Sequence, residues 1–241
     1  MITVATWNVL HRVHAENWSE DVLARWPDES ERIAAVTARL VTRTEQVIAL
    51  QEVSGDQLAD IRRALPERTV YTLRYPRVPA PRHAIRPLRA PEEYLVLLVD
   101  GQSRKVAADS FEDDPGKGAL SVETAGTLVV ATHLSGDQRR TRQLARLAEL
   151  TATPPGRAAV LLGDFNTDRA TVASALGPGY DVVDLPPEAL PTRPRTSSSE
   201  PQWIDHVVVR GGRNSSAAVE DVGGLSDHNL LRASITLWTR R

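Results

Sequence analysis

Short apolar runs and stretches of helical period alternate along the chain. "MITVATWNV" (1 to 9) and "QVIALQEV" (46 to 53) read as buried strands, as do "EYLVLLV", "AAVLLGDF", "WIDHVVV" and "LLRASITLW". "GALSVET" and "TLVVATHL" read as neighbouring strands joined around Gly126. Between them, "DESERIAAVTARLV" (28 to 41) places Ile33, Val36, Leu40 and Val41 near helical spacing, with acids in its first turn. "SGDQLADIRRAL" (54 to 65) opens with a capping-box pair, Ser54 and Gln57. "DQRRTRQLARLAEL" (137 to 150) lines up Leu144, Leu147 and Leu150, and "RATVASAL" is a shorter helix. Pro- and Arg-rich residues 74 to 92 and Pro-, Ser- and Thr-rich residues 186 to 202 read as loops.

Strands that both alternate with helices and pair with each other predict an α/β fold, two packed mixed sheets flanked by helices in a four-layer sandwich. With no repeat or linker in 241 residues, residues 1–241 read as a single domain.

Composition narrows the chemistry. No run approaches the ~20 apolar residues of a membrane span, and the start shows no signal-peptide pattern, so the expectation is a cytoplasmic protein with no membrane partner. There is no cysteine, which excludes disulfides, thiolate metal sites and a cysteine nucleophile. Any metal must sit on oxygen or imidazole, which suits magnesium or manganese. A net charge of -2 predicts no strong general attraction to nucleic acid, yet Arg74 to Arg89 holds five arginines, one histidine and no acid.

Polar residues cluster where apolar strands end. Asn8 stands in "TWNV", Glu52 in "LQEV", His133 in "ATHL", Asp164 and Asn166 in "GDFN", Asp205 in "WIDHVV", and Asp227 with His228 in "LSDHNL". Each alone reads as a strand cap or surface group; together they read as residues gathered at one mouth of a sheet. Two carboxylates about 4 Å apart repel by roughly 4 kcal/mol at an effective dielectric of 20. Four acids gathered there call for a cation.

These motifs, in this order, resemble the endonuclease/exonuclease/phosphatase superfamily, the DNase I-like fold. "GDFN" followed by "SDH" is the specific pair, and Arg32 in a helix ahead of "LQEV" is similar to the deadenylase, nocturnin and Angel branch. The resemblance implies metal-assisted in-line hydrolysis of a phosphate ester. It implies Glu52, Asn8 and Asp227 at a magnesium or manganese ion, Asp164 as general base and Asn166 holding the nucleophile or a phosphoryl oxygen. It further implies His228 on the phosphate with Asp205 orienting its ring, and His133 near the phosphoryl or leaving-group oxygen. Arg74, Arg77, Arg82, His83, Arg86 and Lys117 are candidate substrate contacts, each also readable as a solvated loop or turn residue. His11, His14 and His206 read as loop or core histidines without a role. Trp7, Trp203 and Trp238 are expected in the core, and Trp18 and Trp26 on the surface. Tyr94 is expected to fill space near the site, where relatives carry a small-residue run.

The substrate expectation is RNA ends or nucleotides. The alternatives are a small phosphorylated metabolite and, in a different class, a non-catalytic binding module, against which every expected position is filled. No obligate protein partner is evident.

Overall fold

Period-two alternation sends each central strand's side chains into two different cores, and this builds the architecture. The computed structural model describes residues 1–82, 88–152, 158–194 and 200–238. The first sheet is formed by β1 (Ile2–Asn8), β2 (Val47–Ser54), β3 (Thr69–Arg74), β4 (Glu93–Val99), β11 (Gly212–Glu220) and β12 (Leu230–Leu237), in the order β11-β12-β1-β2-β4-β3. The second is formed by β5 (Ser103–Phe111), β6 (Asp114–Thr124), β7 (Thr127–His133), β8 (Ala159–Asp164), β9 (Tyr180–Val182) and β10 (Asp205–Arg210), in the order β5-β6-β7-β8-β10-β9. Both sheets are mixed: β1–β2 and β7–β8 run parallel, and the other pairs antiparallel.

Val47, Ala49, Val160 and Leu162 point between the sheets into a shared core with Val4, Leu97, Val122 and Val129. Their neighbours point outward. Ile48 and Leu50 meet α3 (Glu29–Val41) and α4 (Gly55–Ala64) through Val36, Leu40 and Ile61. Leu161 meets α5 (Arg140–Ala152) and α6 (Arg169–Leu176) through Leu144, Leu147 and Val172. The result is the expected helix–sheet–sheet–helix sandwich. The two parallel pairs put the C-terminal ends of β1 and β2, and of β7 and β8, at one edge of their sheets.

The α4 cap behaves as the sequence predicts, Ser54 with Gln57 forming the complete capping box. Asp28, which opens the stretch read as helix, instead caps α3 by accepting from the Ser30 and Glu31 amides. The β6–β7 turn is Ala125-Gly126, both at positive φ (47° and 72°), the combination a two-residue hairpin of twisted strands needs.

The strands not anticipated from sequence are β3, β5, β9 and β11, which are the four edge strands. An edge strand buries little, so its hydrophobic pattern is weak; β5 is largely exposed along its length. Two short helices, α1 (Arg12–Trp18) and α2 (Val22–Arg25), also follow β1 without a strong apolar stripe. Two tryptophan expectations are corrected. Trp203 and Trp238 lie just outside β10 and β12 and are 46% and 67% exposed, because the alternation that buries a strand residue stops where pairing stops. Trp26 packs partly buried against the helix-side core rather than standing free, Trp18 is exposed and Trp7 is fully buried.

Candidate active site

Four strand ends and the loop before β12 deliver the polar residues. β1 ends in Asn8, β7 in His133 and β8 in Asp164, and β10 begins with Asp205. Because β8 and β10 are antiparallel with Asp164 opposite Asp205, the two acids are register partners on adjacent strands. Because β7 and β8 are parallel with His133 opposite Asp164, the histidine sits on the other flank.

Backbone strain fixes the convergence. Glu52 lies at an irregularity of the β2–β4 pairing, with φ 57°. Leu10 (φ 58°) and Asn166 (φ 52°) are also left-handed without being glycine. Such residues persist only where the surroundings hold them, and they gather at functional sites. Gly163, in "GDFN", has φ 154°, and a Cβ there would lie 1.9 Å from the Thr132 carbonyl oxygen. Only glycine lets β8 pass β7 that closely and still aim Asp164 at the mouth.

Asn8 is the hub. Its Nδ2 donates to Glu52 Oε1 (3.1 Å) and to Asp164 Oδ2 (3.2 Å), while its Oδ1 accepts from the Leu10 amide (3.0 Å). Glu52 Oε2 accepts from the His11 amide (3.2 Å), and Asp164 Oδ1 from the Asn166 amide (2.9 Å). His133 Nε2 lies 3.4 Å from Asp164 Oδ2 and 3.9 Å from Glu52 Oε1, and is also in contact with Lys117 Nζ. His228 Nδ1 pairs with Asp205 Oδ2 at 2.8 Å, and its Nε2 lies 3.8 Å from Asp164 Oδ2.

The electrostatics separate the acids. Burial raises Glu52, but the fields of His14, His133 and Lys117 and the Asn8 amide outweigh it and hold the carboxyl well below its usual range. Asp164 is likewise opposed by burial, yet His133, His228 and Lys117 hold it well below the ordinary value. Asp205 goes the other way, pushed up by burial. Burial disfavours the His228 imidazolium, but Asp205 and Asp227 outweigh it and push His228 up to about 10.

Asp164, Asp205 and His228 form the group of potential metal ligands whose atoms lie within 4.8 Å of one another among the described residues. Glu52 stands outside that group and is joined to it through the Asn8 amide, which donates to both Glu52 and Asp164. Asp205 Oδ1 is buried without a hydrogen-bond partner. Carboxylate oxygens converging in a thiol-free site fit a hard divalent cation. Asn8 turns its amide nitrogen, not its oxygen, toward these acids, and Asp227 Oδ2 is taken by Arg193 Nε (2.9 Å) and Nη2 (2.8 Å). In this arrangement both fit a supporting place better than direct ligation.

Of the candidate substrate contacts, Lys117 is a β6 residue within the cluster rather than a turn residue. Arg77 lies 3.6 Å from Asp114 and packs on Gly116. Arg74 pairs loosely with Glu92 at 3.4 Å. Arg82 lies over the Trp18 ring. His83 and Arg86 lie outside the described residues. His11 caps α1 and His206 is buried against Phe165, as core histidines.

Tyr94 does not fill the site. It packs against the helix-side core, and its neighbour Glu93 faces the cluster, as alternation requires. Sequence reading also missed Arg193 and Thr192. The Thr192 hydroxyl accepts from the Ile204 (3.0 Å) and Asp205 (3.1 Å) amides, and its carbonyl from the Asn229 amide (2.7 Å), tying both loops together. Nothing local marks either in a loop rich in such residues. Arg32 is fully buried and donates to the carbonyls of Val9, Leu10 and Leu225, bracing the segments after Asn8 and before Asp227.

The sequence profile of the endonuclease/exonuclease/phosphatase family matches residues 5–228. No curated protein matches the chain in sequence. Among solved structures, the endonuclease/exonuclease/phosphatase from Bacteroides vulgatus superposes with TM-score 0.70 at 17% identity, covering 98% of each chain. D. rerio TDP2 complexed with a single-strand DNA product gives 0.69 at 15%, again covering 98% of each. The human Nocturnin catalytic domain with bound sulfate gives 0.68 at 14%, covering 98% of this chain and 93% of that one.

Proposed function

The chain belongs to the endonuclease/exonuclease/phosphatase family, whose members are metal-dependent phosphoric ester hydrolases, and from that premise we propose that it hydrolyses phosphate esters of RNA ends or nucleotides with magnesium or manganese. The observation that carries the reading is the convergence of Asn8 on both Glu52 and Asp164, with His133 and His228 on either flank. The single-strand DNA product held by the D. rerio TDP2 of like fold supports a nucleotide-bearing ester over a simple one.

The residues divide the work of in-line phosphoryl transfer. Asp164 is the general base: both its oxygens are aimed by amide donors, from Asn8 and Asn166, and its ionised form is favoured. It takes a proton from the water whose oxygen bonds to phosphorus as the ester bond to the leaving oxygen breaks. The Asn166 side chain gives its Nδ2 to the Leu134 carbonyl (2.9 Å), which leaves Oδ1 to hold that water. His228, its ring fixed by Asp205, presents Nε2 to a phosphoryl oxygen. His133 and Lys117 face the phosphoryl or leaving oxygen. A divalent cation on Glu52, supported by Asn8 and Asp227, would neutralise the phosphoryl charge.

The test is incubation of the protein and of Glu52→Ala with magnesium or manganese and a panel of substrates, products read by mass. The panel holds single-stranded RNA, double-stranded DNA, RNA with 2′,3′-cyclic or 3′-phosphate ends, and small nucleotide and sugar phosphates. Shortened RNA or altered RNA ends, lost in the variant, are expected. Free phosphate from small esters alone would make the protein a metabolite phosphatase.

A further inference from the structure

Helix α1 leads out of the site and carries chemistry that the hydrolysis does not use. Its start is anchored there, since the His11 amide donates to Glu52. His14 Nε2 pairs with Glu93 Oε2 at 2.9 Å. Glu93 is 1% exposed and its Oε1 has no partner, an arrangement that is unfavourable unless the carboxylate is needed where it is. This is a second histidine held by a buried carboxylate, alongside His228 on Asp205. The His14 side chain remains 21% exposed, and its Nδ1 has no partner among the described residues.

Four residues on, and so on the same helix face about 6 Å along the axis, stands Trp18, which is 64% exposed. A lone exposed tryptophan needs no explanation, but this one has a cationic group over its ring. The Arg82 guanidinium lies 4.7 Å from its ring centroid. The loop bearing Arg82 is pinned to the same helix, Asn17 Nδ2 donating to the Ala80 carbonyl (3.1 Å) and the Arg82 amide to Asn17 Oδ1 (2.8 Å). Arg82 lies over the ring, which is still 64% exposed and so keeps surface within reach of a ligand.

We propose that His14, Trp18 and Arg82 form a nucleotide subsite along α1. His14, protonated on both ring nitrogens with Nε2–H on the Glu93 carboxylate, donates Nδ1–H to an oxygen of the phosphate next to the scissile one. A nucleobase stacks on the exposed ring of Trp18, and Arg82 holds the ring and adds positive charge for the strand. The subsite rests on the reading of the chain as a phosphoesterase of RNA ends or nucleotides. It narrows that substrate class to single-stranded ends, because a stacked base must be free of its duplex partner.

The test is binding of a labelled single-stranded oligoribonucleotide, in magnesium, to the Asp164→Asn protein, in which hydrolysis is slowed enough for binding to be read. The same oligonucleotide with abasic residues at its end serves as comparison. Adding Trp18→Ala should weaken intact RNA by roughly tenfold to a hundredfold, the scale of one base–aromatic stack, and leave abasic RNA unchanged. Adding His14→Ala should weaken both alike. Trp18 is exposed, so its variant should melt as the parent does. If the protein cleaves RNA and Trp18→Ala binds intact RNA like the parent, the subsite is refuted and the phosphoesterase reading stands. If the wild type cleaves only small esters lacking a base, that reading fails and takes the subsite with it.

Discussion

Asp164 and Asp205 face each other as register partners on β8 and β10, and their surroundings push them in opposite directions. Asp164 accepts from Asn8 and Asn166 and lies beside two histidines, so it stays ionised. Asp205 is sealed in against His228. In the proposed mechanism the two acids of one strand pair would take two duties, one as base and one as support for a histidine.

The first prediction follows from that division. Asp164→Asn should lower kcat by roughly 10²- to 10⁴-fold with little change in KM, as expected for loss of a general base. Asp205→Asn should lower kcat too, and should also move the alkaline limb of the pH profile to lower pH, because His228 loses the charge that stabilises its imidazolium. An unmoved alkaline limb would show that Asp205 does not act through His228.

The same histidine gives the metal-free protein a pH-dependent stability. His228 rises from an ordinary 6.5 to about 10 in the folded state. A raised value means that folding favours the protonated ring, so the contribution is complete below pH 6.5 and is lost as pH rises toward 10. Urea melts in EDTA should show stability falling across that window, and His228→Gln should flatten the fall. An equal slope in the variant would place the titrating group elsewhere.

A divalent cation binding only the folded chain should raise Tm. At a hundred times its dissociation constant the gain is about 2.7 kcal/mol, or roughly 5–10 °C for a chain of this size. Glu52→Ala should remove that rise. In EDTA the variant should melt below the wild type, since Glu52 is held ionised by His14, His133 and Lys117 and accepts from the Asn8 and His11 N–H groups. Differential scanning fluorimetry with magnesium, manganese and EDTA reads both effects.

Gly163→Ala tests how the site is held. A methyl group would meet the Thr132 carbonyl at 1.9 Å on a backbone with φ 154°. Strain and overpacking together should destabilise by about 3 kcal/mol or more, roughly 6–12 °C in Tm. Because β8 carries Asp164 at its end, kcat should fall in the same variant below its melting range. A variant with wild-type stability would mean that β7 and β8 can separate without harm.

What the sequence determined is whatever burial writes into pattern. The central strands are buried on both faces, so "VIALQEV", "YLVLLV" and "AVLLGD" announce themselves as unbroken apolar runs, and their polar endings mark Asn8, Glu52, His133 and Asp164. Helices α3 and α4 carry their start signals as local chemistry in Asp28, Ser54 and Gln57. The edge strands bury too little to leave such a pattern, and only pairing in space defines them. Tertiary structure alone decided which partner each site residue meets. Asp205 meets His228 across 23 positions, and Asp227 meets Arg193 across 34. His14 meets Glu93 across 79, although the first looks like a loop histidine and the second like the polar start of a strand. No local propensity encodes a contact of that range. It arises because two packed sheets bring the ends of distant strands to one edge, where close approach, burial and charge select the pairs.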